Sequence, residues 1–227
     1  MKFVRAPVVQ RIERGPSKPD VGGSNPSWGT WSRRVVVGPL FFPFVLEVHM
    51  SEMERKGLIQ FGGKDVTVVG PDIQVGQEAP EFVATTQQWE RIPVLAYTQG
   101  KVRVIAAVPS LDTPVCDLET DKFNQAATQL SEDIIIVTIS ADLPFAQARW
   151  CGAHGVDPNR LLVVSDHMEM EFGRKYGCLM KEVRLLRRAV FVVDRQNRVV
   201  YADYMARLGD EPNYDEVLEK AKKALAA

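Results

Sequence analysis

Residues 102–116 read VRVIAAVPSLDTPVC and are the most informative stretch of the chain, because they change from a strand pattern to a helix start within a few positions. The run 102–108 is largely apolar, is rich in β-branched residues and ends at Pro109, which is typical of a buried strand. Thr113 and Pro114 then predict a helix that begins at Pro114, since Thr is a favoured N-cap and Pro is tolerated at the first helical position. The stretch therefore predicts one strand–turn–helix unit of an α/β fold.

This unit places Cys116 in the first turn of the predicted helix. Unpaired backbone N–H groups and the positive end of the helix dipole favour an anion there, and the thiolate is the nucleophilic form of cysteine. The dipole stabilises a charge by only about 0.3 to 1 kcal/mol, so we expect a cationic side chain to contribute as well. The alternative is a small buried apolar residue near a helix start, which would be the better interpretation of a lone cysteine.

A second cysteine, Cys151, lies 35 residues after the first, in another short predicted helix. Pro144 begins that helix, Asp142 is a candidate cap before it, and Gly152 and Gly155 mark its end. The spacing is unlike the CxxC of dithiol oxidants, and the histidines do not cluster with the cysteines as zinc ligands do, so we predict no metal and no cofactor. A nucleophilic thiol remains, with a second thiol that can condense with its oxidised form.

Both cysteine segments resemble a known family. Pro109, Thr113 and Cys116 match the peroxiredoxin pattern Pro-x-x-x-Thr-x-x-Cys. Residues 140–152, SADLPFAQARWCG, are similar to the resolving-cysteine segment of bacterial thiol peroxidases, which are atypical two-cysteine peroxiredoxins. The resemblance extends over about residues 57–227, and the two cysteine segments together make it specific.

The resemblance implies roles for five residues. Cys116 is the expected peroxidatic nucleophile, which becomes a sulfenic acid, and Cys151 is the expected resolving cysteine, which closes an intrachain disulfide with it. Thr113 is expected to orient the peroxide and the sulfur. Pro109 is expected to shield the pocket from water, and Arg188, chosen by register over neighbouring arginines, to supply the positive charge.

The implied function is that of a thiol-dependent peroxidase that reduces hydrogen peroxide and alkyl hydroperoxides and is recycled by thioredoxin. The family also implies a homodimer. A net charge of −1 with 25% charged residues gives no sign of a nucleic-acid-binding or membrane-binding surface. Three cysteines in 227 residues argue against a disulfide scaffold and for a reducing compartment, so we expect a cytoplasmic enzyme.

Three other classes of function stay open at this point. The same cysteines could serve a redox sensor or relay that passes oxidation to a partner protein, which fast consumption of excess peroxide would argue against. A non-catalytic interaction module of the same fold predicts that Cys116 reacts slowly. A cysteine-dependent phosphatase is a poorer match, because Lys122 instead of an arginine stands six residues later and Cys151 is left unexplained.

Three residues near these motifs receive a structural interpretation. Cys178 matches no position of the family pattern and is expected to be a buried, inert thiol. Phe145 and Trp150 could line a peroxide pocket, but aromatic residues on a helix are more often part of the core. We therefore leave all three out of the predicted site.

The chain divides at about residue 50. Residues 1–49 carry seven Lys and Arg against three acidic residues, contain six Pro and five Gly, and are expected to be a disordered extension. Gly23-Ser24-Asn25-Pro26 is also what the T-arm of a transfer RNA gene gives when it is read as codons. The alternative hypothesis is that the extension is not translated and that the protein starts at Met50 or Met53. Residues 50–227 are expected to form one domain.

Within residues 50–227 the pattern begins with a hairpin, 58–61 paired with 65–69, and continues with alternating strands and helices. Strands are predicted near 102–108, 133–139, 161–164, 189–194 and 198–204. Helices are predicted near 114–130, 144–152, 167–176 and 213–225. This alternation predicts a three-layer α/β sandwich with an N-terminal β-hairpin, and the resemblance specifies it as thioredoxin-like.

Overall fold

The computed structural model describes residues 53–226, so the predicted extension at 1–49 lies outside the described residues. The strands in this range are β1 (Glu54–Phe61), β2 (Lys64–Val69), β3 (Val83–Thr85), β4 (Arg91–Pro93), β5 (Val102–Ala107), β6 (Ile134–Ser140), β7 (Leu161–Ser165), β8 (Leu179–Met180), β9 (Leu185–Leu186), β10 (Ala189–Val193) and β11 (Val199–Tyr204). The helices are α1 (Val94–Tyr97), α2 (Pro114–Ala127), α3 (Pro144–His154), α4 (Glu171–Lys175) and α5 (Tyr214–Ala226). None of these helices is long and apolar enough to cross a membrane.

The main sheet has seven strands in the order β11-β10-β5-β6-β7-β3-β4. Strands β5, β6 and β7 are parallel, whereas the strands on either side pair antiparallel. Parallel neighbours need a crossover connection, which α2 and α3 supply. Both cysteine-bearing helices therefore begin at the same edge of the sheet, where the parallel strands end.

The side chains of β5 alternate between the two faces of this sheet, as the period of a strand requires. Val102, Val104 and Ala106 pack in one cluster with buried residues of α2, α3 and α5. Ile105 and Ala107 pack in a second cluster with residues of α1 and α4. The predicted three-layer α/β sandwich is confirmed, and both Cys116 and Cys151 lie in the layer of α2, α3 and α5.

The predicted N-terminal hairpin is present as β1 and β2 and extends into a four-stranded antiparallel sheet of order β1-β2-β8-β9. Ile59, Val66, Val68 and Met180 form its buried face. Strand β1 begins earlier than predicted, at Glu54. Its last residue, Phe61, lines a cavity beside the start of α2.

Asp142 does not cap α3 as the sequence predicted. The N-cap residue is Leu143, which makes no side-chain capping hydrogen bond. The Asp142 carboxylate instead accepts hydrogen bonds from the backbone N–H of Leu111 and the hydroxyl of Ser140, each at 2.8 Å. Asp142 thus ties the loop before α2 to the loop before α3. Of the two glycines predicted to mark the end of α3, Gly152 lies inside the helix and Gly155 ends it in the left-handed region.

The helix predicted near 167–176 is confined to α4. Met170 has a left-handed backbone, with φ of 53°, and separates the residues before it from the helix. The buried Asp166 carboxylate accepts hydrogen bonds from the N–H groups of Phe172, at 3.1 Å, and Gly173, at 2.8 Å. These bonds give partners to backbone N–H groups in the first turn of α4. The acceptor lies outside the helix, which a local pattern of residues does not predict.

Candidate active site

Cys116 occupies the third position of α2, as the sequence predicted. Thr113 is the N-cap residue and Pro114 is the first helical residue. The Cys116 side chain is fully buried, and its sulfur accepts a hydrogen bond from Nη2 of Arg188 at 3.2 Å. A guanidinium charge at this distance stabilises a thiolate and adds to the effect of the helix dipole.

The sheet register explains why Arg188 reaches this sulfur across 72 residues of chain. Ala189 begins β10 and pairs with Ala107, which ends β5. Arg188 therefore lies beside the chain where it leaves β5 and turns toward α2. The Arg188 side chain is only 1% exposed, and its Nε and Nη2 both donate to the backbone oxygen of Leu208, at 3.2 and 3.1 Å.

Glu119 completes the buried charge cluster and was not predicted from the sequence. Its carboxylate pairs with Nη1 of Arg188, and both side chains are almost wholly buried. Burial raises the pKa of Glu119 to about 7, against the opposing effect of Arg188. Burial also lowers the pKa of Arg188, but the electrostatic interactions and hydrogen bonds with Glu119 and Cys116 outweigh burial and raise it. A signal was available, because residues three apart on a helix share one face.

Pro109 and Thr113 border a cavity of about 240 Å³ beside the start of α2. Arg188 lines the same cavity, so the cavity and the Cys116 sulfur share this guanidinium. Apolar side chains of Phe61 and Leu208 form part of the wall. The structure thus gathers four of the five predicted site residues in one place.

The Thr113 hydroxyl does not cap the helix. It donates instead to the backbone oxygen of Ser110 at 3.0 Å, and no side-chain capping bond is made at Thr113. A hydroxyl has one hydrogen to donate and two lone pairs. With its hydrogen held by Ser110, the Thr113 oxygen can accept a hydrogen bond from a molecule in the adjoining cavity.

Cys151 lies in a different environment. The residue is 8% exposed, and its sulfur accepts a hydrogen bond from Nε2 of Gln87 at 2.9 Å. Burial raises the pKa of Cys151 to about 11, which the bond from Gln87 opposes. The Cys151 thiol is therefore neutral at pH 7. Gln87 has no sequence signal, since it lies in the loop after β3, 64 residues away.

The two cysteines are not bonded to each other, and all three cysteines are free thiols. Cys116 is in the first turn of α2, whereas Cys151 is the eighth residue of α3. At 1.5 Å per residue, that position is about 10 Å along the axis from the start of α3. The two cysteines therefore lie on different helices and at different distances from the helix starts.

The residues left out of the site occupy other places. Cys178 is fully buried, and burial raises its pKa to about 12. Trp150 is buried among core residues, as expected, but Phe145 is 70% exposed and packs on the ring of Trp89 with centroids 5.0 Å apart. The interpretation of Phe145 as a core residue was therefore wrong. In residues 53–226 no three His, Cys, Asp or Glu side chains form a group that could hold a metal ion.

Residues 74–218 match the sequence profile of the Redoxin family. The chain is 48% identical over 164 residues to a thiol peroxidase of Bacillus subtilis, an alignment that covers 72% of this chain and 96% of the relative. It is also 48% identical over 166 residues to a thiol peroxidase of Clostridium acetobutylicum, which covers 73% of this chain and 98% of the relative.

Solved structures share the fold of this chain. A peroxiredoxin-like protein from Aquifex aeolicus superposes with a TM-score of 0.65 at 37% sequence identity, over 75% of this chain and 97% of the other. A thiol peroxidase from Chromobacterium violaceum superposes with a TM-score of 0.64 over 74% of this chain and 97% of the other. Its sequence identity of 18% makes this second likeness one of fold alone.

Proposed function

The chain belongs to the Redoxin family and is a thiol-dependent peroxidase of the peroxiredoxin type, and from this premise we propose that Cys116 attacks the hydroperoxide and that Cys151 resolves the oxidised form. The predicted thioredoxin-like fold is confirmed by the solved relatives. The observation that carries the assignment of Cys116 is the 3.2 Å contact between its sulfur and Arg188 at the start of α2.

In the first step the Cys116 thiolate attacks one oxygen of the hydroperoxide. The S–O bond forms as the O–O bond breaks, and the leaving oxygen takes a proton to become water or an alcohol. The sulfur is oxidised by two electrons to a sulfenic acid, and the peroxide is reduced by the same two electrons. Arg188 and the N–H groups at the start of α2 are aimed at the charge that develops on the separating oxygens.

The apolar part of the cavity wall supports organic hydroperoxides as substrates beside hydrogen peroxide. Phe61 and Leu208 offer contacts to an alkyl group, while Thr113 and Arg188 line the same space. Pro109 covers one side and keeps bulk water from the reacting atoms. Because water is excluded, the electrostatic interaction of Arg188 with the substrate is stronger than it would be in bulk solvent.

Thr113→Val is expected to lower the second-order rate constant of Cys116 oxidation about 10²-fold, since one oriented hydrogen bond at the reacting centre is lost. Thr113→Ser keeps the hydroxyl and is expected to stay within about tenfold of the wild type. Single-turnover kinetics with hydrogen peroxide measure both variants. Equal rates for the valine and serine variants would remove the hydroxyl from the mechanism and leave Thr113 as a helix-start residue only.

In the second step Cys151 attacks the sulfenic sulfur of Cys116. The S–S bond forms, the S–OH bond breaks and water leaves, taking the proton of the Cys151 thiol. A disulfide needs Cα atoms within about 7 Å, and in the reduced structure Cys116 and Cys151 lie on different helices and are not bonded. We expect local unwinding around both cysteines, so amide exchange at 114–120 and 144–152 is expected to differ between the reduced and oxidised forms.

A thiol reductant completes the cycle, and we propose thioredoxin for this role. A dithiol attacks the Cys116–Cys151 disulfide, passes through a mixed disulfide and is itself oxidised. We also propose a cytoplasmic homodimer, for which sedimentation of the reduced protein is expected to give twice the chain mass of 25.4 kDa. The thiol peroxidase relatives favour the peroxidase over the redox-relay alternative.

The test follows NADPH oxidation by the full chain with thioredoxin, thioredoxin reductase and either hydrogen peroxide or an alkyl hydroperoxide. We expect continuous turnover, and a non-reduced digest of the oxidised protein in which one peptide pair joins Cys116 to Cys151. Turnover with dithiothreitol but none with thioredoxin would rule out thioredoxin as the reductant. Turnover without that peptide pair would rule out the pairing.

A further inference from the structure

A hydrogen bond joins the helical turn that carries Cys116 to the helical turn that carries Cys151. It is made by the residues next to the two cysteines in sequence. Nε1 of Trp150 donates to the carboxylate of Asp117 at 2.7 Å. Asp117 directly follows Cys116, and Trp150 directly precedes Cys151. The bond therefore connects the two segments of backbone that have to separate from their helices before the sulfurs can meet.

His154 holds the indole of Trp150 in this orientation. The imidazole stacks on the indole, with ring centroids 4.0 Å apart and an interplanar angle of 16°. Its Nδ1 lies 3.0 Å from the backbone oxygen of Trp150, and its Nε2 lies 3.3 Å from the same Asp117 oxygen that the indole binds. Trp150 is 5% exposed, so the indole N–H has little access to water as an alternative partner.

We propose that Trp150 is a positioning residue whose bond to Asp117 keeps α2 and α3 in the reduced arrangement and slows the closure of the disulfide. The inference rests on the proposed function, because it concerns the step between the sulfenic acid of Cys116 and the disulfide with Cys151. Closure competes with a second oxidation at Cys116. In that reaction the sulfenic sulfur attacks another hydroperoxide, a second S–O bond forms and the O–O bond breaks. The leaving oxygen takes a proton and departs as water or an alcohol, and a sulfinic acid results.

Trp150→Phe removes the N–H donor and keeps an aromatic ring on His154. We expect the disulfide to form about tenfold faster after one equivalent of hydrogen peroxide, the change that corresponds to about 1.4 kcal/mol. The rate of sulfenic acid formation is expected to stay unchanged. Quenched-flow thiol trapping with mass spectrometry separates the two steps. The peroxide dose that converts half of Cys116 to sulfinic acid is expected to rise by the same factor.

A matched pair of variants at Asp117 isolates the hydrogen bond from the charge. Asp117→Asn and Asp117→Ala both remove the negative charge beside Cys116, but only the asparagine keeps an oxygen that accepts from the indole. We expect the alanine variant to close its disulfide as fast as Trp150→Phe and the asparagine variant to stay close to the wild type. Asp117 is half exposed, so both variants are expected to fold.

Arg149→Gln is the control variant, because Arg149 makes a different contact between the same two segments, one that involves neither Trp150 nor Asp117. It breaks the exposed ion pair of Arg149 with Asp112, 2.6 Å long, and exposed pairs of this kind contribute little. We expect its rate of closure to equal that of the wild type. Amide exchange at 114–120 in the reduced protein gives a readout without any peroxide, and it is expected to be faster in Trp150→Phe and Asp117→Ala only.

Unchanged closure rates and unchanged amide exchange in Trp150→Phe and Asp117→Ala would overturn the inference and leave the proposed function intact. Equal effects of Asp117→Asn and Asp117→Ala would also overturn it, because the charge and not the bond would then control closure. A wild-type protein that consumes peroxide but forms no Cys116–Cys151 disulfide would instead overturn the proposed function. The digest of the wild-type protein thus tests the proposed function, and the closure rates of the variants relative to the wild type test the inference about Trp150.

Discussion

Cys116→Ser is expected to abolish hydroperoxide consumption, with a loss of about 10³-fold or more in rate, as found when a nucleophile is removed. A serine hydroxyl at the start of α2 is neutral and a far weaker nucleophile than a thiolate, even with Arg188 in contact. The assay is peroxide consumption with thioredoxin, thioredoxin reductase and NADPH. Thermal unfolding of the variant checks that the loss is chemical and not a loss of fold.

Cys151→Ser gives the matched result. The first step stays intact, so one equivalent of peroxide per chain is expected to be consumed in a burst, and a sulfenic acid on Cys116 is expected to be trapped by a dimedone-type reagent. Recycling by thioredoxin is expected to stop, because no disulfide forms. Cys178→Ala serves as the control, since Cys178 packs in a different core cluster from Cys116 and Cys151, and it is expected to turn over like the wild type.

Three outcomes would contradict the proposed roles. Full turnover of Cys151→Ser with thioredoxin would mean that another thiol, or the reductant itself, resolves the sulfenic acid. Consumption of peroxide by Cys116→Ser at the wild-type rate would move the reaction to a different cysteine. If the wild type consumed no excess peroxide yet oxidised its two cysteines, the redox-relay function would replace the peroxidase for this chain.

Arg188→Met is the second change with a large expected effect, about 10²-fold to 10³-fold in the rate of Cys116 oxidation. The guanidinium is the cation in contact with the Cys116 sulfur, and methionine keeps the apolar stem while removing the charge. Stopped-flow oxidation with one equivalent of hydrogen peroxide measures this step without the resolving step. Arg188→Lys keeps the charge but not the fork that binds Glu119, Leu208 and the sulfur together, so an intermediate rate is expected.

The interpretation of the Arg188→Met result depends on the charge state of Glu119, the buried partner of Arg188. Without Arg188 the burial that raises the pKa of Glu119 loses its main opposing effect, so we expect the carboxyl to be neutral at pH 7 and to leave no buried negative charge. The double variant Arg188→Met with Glu119→Gln makes that neutral state permanent. We expect the double variant to oxidise as slowly as Arg188→Met alone. A double variant restored to the wild-type rate would show that the loss came from a stranded carboxylate and not from the missing cation.

Local chemistry in the sequence was sufficient for the elements that carry the site. The apolar run before Pro109, the N-cap at Thr113 and the proline after it predicted β5, the start of α2 and the position of Cys116 in its first turn. Gly155 predicted the end of α3 in the same way. These features depend on backbone preferences within a few residues, so the sequence determines them by itself.

The tertiary structure decided which groups surround the two sulfurs. Arg188 reaches Cys116 because β10 pairs with β5 in one register, and no local pattern encodes a pairing of strands so far apart in the chain. The bond of Gln87 to Cys151 and the bond of Trp150 to Asp117 likewise depend on how α3 packs against its neighbours. The Asp142 cap failed for the same reason, because its carboxylate found partners in Leu111 and Ser140 that only the folded chain brings near. Helix starts and strands thus follow from neighbours in sequence, whereas charge and hydrogen bonding at a buried sulfur follow from neighbours in space.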